Sequence, residues 1–88
     1  MRAASAAKPF VDLVWTPDTE AGVAGYNVYR REQNQPAIKI NKELVRASAY
    51  RDSDIVPGAR YFYSVSAVSV RGNESSRSEE ASETIPAP

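Results

Sequence analysis

At 88 residues the chain has the length of one domain with one core, and so short a chain buries only a little over half of the surface it exposes when unfolded. Eleven basic and eleven acidic residues cancel, so no net field draws it to nucleic acid or to an anionic bilayer, and no stretch approaches the roughly 20 apolar residues of a membrane span. The absence of His and Cys removes the commonest general base, the thiol nucleophile and any disulfide, so stability must come from packing alone.

The Ala-rich start, residues 1–7, is too short to hold the apolar region of an export signal, which is expected elsewhere if one exists. From Phe10 to Thr16 a strand is predicted, with Val11, Leu13 and Trp15 on one face at period two and Pro17-Asp18 ending it. Trp15 is the expected centre of the core. After a loop carrying Gly22 and Gly25, the run Tyr26 to Arg31 alternates again, with Tyr26 and Val28 facing one way and Asn27 and Tyr29 the other.

Glu32 to Pro36 is polar and turn-prone, and Ala37 to Ile40 follows as a short edge strand with Ile38 and Ile40 in phase. Asn41 to Arg46 fits either a helical turn or a loop crossing between sheets. A short strand around Tyr50 is closed by Asp52-Ser53-Asp54 and Pro57-Gly58, and Tyr61 to Val68 then carries the clearest alternation, with Tyr61, Tyr63, Val65 and Ala67 sharing a face. Arg71-Gly72-Asn73 marks a hairpin turn, Glu74 to Glu80 continues it, and Ala81 to Ile85 returns as a weak last strand before a linker, residues 86–88. The whole reads as an all-β antiparallel sandwich.

Four phrases in order carry a family resemblance: Leu13-x-Trp15; Gly25-Tyr26-x-Val28-Tyr29; Ile55-x-Pro57-Gly58-x-x-Tyr61-x-x-x-Val65-x-Ala67-Val68; and Gly72-Asn73-Glu74-Ser75. Together they resemble a fibronectin type III domain over residues 8–85. The resemblance implies an immunoglobulin-like sandwich of seven strands, A-B-E in one sheet and C′-C-F-G in the other, with the Tyr61 hydroxyl bonded to upstream backbone. Residues 1–7 lack the usual opening of the family and leave its A strand short or frayed. Leu13, Trp15, Tyr26, Val28, Tyr61, Tyr63, Val65 and Ala67 are the expected core.

The phrasing of these strands is most similar to bacterial members that accompany catalytic or carbohydrate-binding domains in secreted glycan-degrading enzymes. This implies a spacer or scaffold module, extracellular or at the cell surface, whose partners are the flanking domains of its own polypeptide and whose two ends emerge at opposite poles. The alternative is a binding module for a protein or a glycan, acting through its loops or an outward face.

Individual residues add little chemistry of their own. The serines have neither a base nor a Gly-flanked elbow, so no catalytic residue and no cofactor is implied. Asp52 and Asp54 fall short of the oxygen ligands that a calcium site needs and read as a turn and cap. Arg71-Gly72-Asn73 lacks the carboxylate of an adhesion tripeptide, and Asn73-Glu74-Ser75 matches a glycosylation acceptor but reads first as a turn. Tyr29 and Phe62 lie out of phase with the core on neighbouring strands, which places both rings outward as a candidate contact surface.

Overall fold

The computed structural model describes residues 9–17 and 22–87. Six strands form: β1 (Val11–Val14), β2 (Val23–Glu32), β3 (Ile38–Lys39), β4 (Ala49–Asp52), β5 (Arg60–Ser69) and β6 (Ala81–Thr84), with no helix among the described residues. β1 and β4 make one sheet and β3-β2-β5-β6 the other, every neighbouring pair antiparallel. The protein is therefore an all-β sandwich with the expected B-E and C′-C-F-G pairings. The expected A strand falls on residues 1–7, outside the described residues. Between Asn41 and Arg46 the chain is an irregular crossing loop.

β2 and β5 are long because their alternation runs unbroken. Val28 sits opposite Val65 and Arg30 opposite Tyr63, so Tyr26, Val28, Tyr61, Tyr63, Val65 and Ala67 all point to one face. That face carries Val28, fully buried, with Tyr26, Tyr61 and Tyr63 almost so, while Val65 and Ala67 are half-buried.

The core cluster joins Val11, Ile55, Tyr61, Tyr63 and Ile85, with Leu13, Ile40 and Ala59 packed against it. Trp15 is not its centre. β1 ends at Val14, so the indole lies one residue beyond the strand, half-buried and edge-on to Tyr26 at 5.4 Å, with its buried Nε1 lacking a hydrogen-bond partner among the described residues. Ile55, on the segment after β4, and Ile85, directly after β6, fill the middle instead. The Tyr61 hydroxyl accepts the Val56 N–H at 3.0 Å, closing the corner that the family resemblance implies.

Backbone groups at the ragged strand ends are satisfied by side chains. Beyond the two residues of β3, buried Asn41 takes over its side of β2: its Oδ1 accepts the Val28 N–H at 2.8 Å, while its Nδ2 donates to Asn27 Oδ1 and to the Glu43 carbonyl. Gly25 lets the crossing loop come close, because a Cβ there would lie 2.6 Å from Leu44 Cγ and 2.7 Å from the Val45 carbonyl.

Candidate contact surface

The β2–β5 register pairs Asn27 with Ser66, Tyr29 with Ser64 and Arg31 with Phe62, all on the face away from the core. Tyr29 and Phe62 thus share the outward face, as their phase predicts. Neither ring is bare. The Tyr29 hydroxyl and Ser66 Oγ both donate to Glu74 Oε2, which also accepts Asn27 Nδ2 at 3.3 Å, and the Arg77 guanidinium lies 5.2 Å from the Tyr29 ring. Phe62 is flanked by Arg31 at 4.2 Å and Arg60 at 5.1 Å, and Arg31 grips Glu80 through two bonds of 2.6 and 2.7 Å.

The hydrogen bonds from Ser66, Tyr29 and Asn27 hold the Glu74 carboxyl below its usual pKa, and the same carboxylate raises that of Tyr29. Bidentate contact with Arg31 likewise lowers Glu80. The face is therefore an array of cations over aromatic rings, held by two internally satisfied carboxylates.

An irregular strand places these groups. Ser75 donates its N–H to the Ala67 carbonyl at 2.8 Å and accepts the Ala67 N–H on its own Oγ at 2.9 Å; Ser78 does the same with Val65, at 2.8 and 3.0 Å. Ala81 then pairs with Tyr63. Residues 75, 78 and 81 thus face residues 67, 65 and 63, three positions against every two. Each serine hydroxyl stands where a strand carbonyl would, and the surplus residues bow outward with Arg77 and Glu80 among them. Polar composition alone reads as turn here; the spacing Ser75-x-x-Ser78 is the signal that sets this run apart.

A second polar cluster lies between the sheets. Arg30 Nη1 contacts both carboxylate oxygens of buried Asp52, at 3.1 and 3.0 Å, and the Asp54 carbonyl at 3.0 Å, while the Tyr63 hydroxyl donates to Asp52 at 2.8 Å and the Asp54 N–H at 3.1 Å. Asp52 thus caps its turn and binds a cation of the protein itself. Burial opposes the charge on Arg30, but Asp52 outweighs it and leaves the pKa raised; burial and the Asp52 bond push the Tyr63 hydroxyl well above its usual range. Arg71 and Asn73 sit exposed on the turn after β5, where Gly72 at φ +87° takes the left-handed conformation and the Asn73 N–H bonds Ser69 Oγ.

A model of the fibronectin type III domain matches residues 3–84. The chain is 34% identical over 68 residues, 77% of its length, to an amylopullulanase of Thermoanaerobacterium saccharolyticum. It is 32% identical over 71 residues, 81% of its length, to an amylopullulanase of Thermoanaerobacterium thermosulfurigenes. The matched stretches make up only 5% and 4% of those enzymes. A crystal structure of a Fn3-like protein from Clostridium thermocellum superposes with a TM-score of 0.73 at 29% identity, covering 96% of this chain and 84% of that one.

Proposed function

The chain belongs to the fibronectin type III family, and from that premise we propose that it is a non-catalytic spacer or scaffold module of a larger secreted or cell-surface bacterial protein of glycan breakdown. The observation that carries this reading is the small share, 5% and 4%, that the matching stretches form of the two amylopullulanases. A segment of that size leaves catalysis to the rest of such an enzyme. Its own architecture agrees: the inward face is filled by tyrosine and aliphatic side chains, and the polar groups of the Asp52 and Glu74 clusters bond to one another.

One geometric feature bears on how such a module is strung. Pro9 and Pro86 border the same groove, beside Phe10, Val11 and Ile85, so the described chain enters and leaves at one end of the sandwich. Within the described residues the two ends thus lie together and not at the opposite poles that the resemblance implies.

The test is to sequence the full open reading frame and assay the isolated domain on starch and pullulan. An export signal, a neighbouring catalytic domain and an inert isolated module are expected. Turnover by the isolated domain would overturn the non-catalytic reading, and a complete frame without an export signal would overturn the extracellular one.

A further inference from the structure

The outward face of the four-stranded sheet combines features that a spacer does not require. Arg60 and Arg77 are exposed and have no ion-pair partner among the described residues. Each is held over an aromatic ring, Arg60 beside Phe62 and Arg77 beside Tyr29, which limits the conformational freedom these side chains lose on binding. The nearby carboxylates make their direct bonds to other groups, although the charge of Arg77 is felt at Glu80 and that of Lys39 at Glu74. Glu74 is bonded by Ser66, Tyr29 and Asn27, and Glu80 by Arg31. Lys39, opposite Tyr29 on β3, adds a further cation. Counted with Arg31, four cations stand against Glu74 and Glu80, and the excess survives when Glu79 is included. On a chain of zero formal net charge, this small cationic excess is balanced by the rest of the molecule and makes the face locally positive.

The geometry points to an acidic, extended polypeptide segment as the partner of this face. Tyr29 lies opposite Ser64, two residues along β5 from Phe62, so the two ring-stacked arginines are anchored on diagonal neighbours, about 7–8 Å apart. Alternate side chains of an extended peptide recur about every 6.8 Å, on the scale of the two ring positions against which the arginines rest. The guanidinium planes offer forked donors suited to carboxylates. The inference concerns the contact surface and is independent of the spacer reading.

The test is an NMR titration of the isotope-labelled domain with octaglutamate, octalysine and polygalacturonate in low and high salt. Saturable shifts at the amides around Tyr29 and Phe62 are expected with octaglutamate, weakening with salt, and none with octalysine. Arg60→Gln with Arg77→Gln should weaken binding about tenfold or more, whereas the paired lysine replacements and Arg71→Gln should largely retain it. The proposal fails if octaglutamate gives no saturable shift, if the shifts map elsewhere, if neutralising both arginines leaves affinity unchanged, or if polygalacturonate saturates the face and octaglutamate does not. The wild-type shift map decides the question even if the double variant does not fold.

Discussion

Arg30 on β2 sets its Nη1 3.0 Å from Asp52 Oδ2 on β4, and this pair, with side chains 14% and 4% exposed, is the most buried ion pair among the described residues. It ties the two sheets together where the Tyr63 hydroxyl also reaches Asp52. Asp52→Asn should cost about 3 kcal/mol in urea unfolding, because it leaves the Arg30 charge without its counterion. A double cycle with Arg30→Met should recover part of that loss, and strict additivity would show that the pair is not coupled.

The same cluster sets an alkaline limit. The Tyr63 pKa is raised above the usual 10.0, first by burial and then by the Asp52 bond. Its contribution is fully present below the unfolded pKa, about 10, and is lost as pH rises toward the folded value. Melting temperature should therefore fall above about pH 10, and Tyr63→Phe should flatten that fall. At the acid end the signs reverse. Glu74 and Glu80 have lowered values, so their contribution is present at neutral pH and is lost as pH drops below the usual carboxylate range.

Two glycines should respond differently to Ala. Gly25→Ala drives a methyl into Leu44 and the Val45 carbonyl that accepts the Tyr26 N–H, and should cost about 1–3 kcal/mol. Gly72→Ala meets no atom within 4 Å but keeps a φ of +87°, so it should cost about 1–2 kcal/mol through strain alone. Denaturant midpoints and the hydrogen exchange of the Tyr26 amide separate the two, since only the first should loosen that amide.

Much of this fold was legible. Alternation located β2 and β5 and set Tyr29 and Phe62 outward, and the turn residues divided the strands. Arg30 already stood in phase with Tyr26 and Val28, but its partner Asp52 is on a strand of the other sheet, and period-two patterning does not reveal which inward positions meet across a core. Ile55 and Ile85 belong to no alternating run, so their burial follows from the Pro57-Gly58 corner and the register of β6. The arginine over Tyr29, Arg77, depends on a bowed segment that polar composition alone cannot distinguish from a loop.

Phe62→Ala removes the ring beside Arg31 and Arg60 and should destabilise the domain by about 1–2 kcal/mol, two exposed cation–π contacts, with no core cavity formed. Thermal denaturation checks this, and a loss as large as that of a core aromatic would show that the ring supports the interior.

Ser75→Ala and Ser78→Ala each leave one β5 amide, Ala67 or Val65, without its protein acceptor. Native-state exchange at that amide alone should accelerate about tenfold, equivalent to one hydrogen bond of about 1.4 kcal/mol.

The serine-plugged border has a further consequence for behaviour in crowded solution. A regular strand in that position would turn a row of unused amides and carbonyls toward its neighbours and could seed self-association into fibres. Here the three-against-two stagger bends the segment out of the repeat that a second chain could continue. Over residues 75–80 that border therefore offers a second chain no regular ladder to extend, and the regular edge is confined to the four residues of β6.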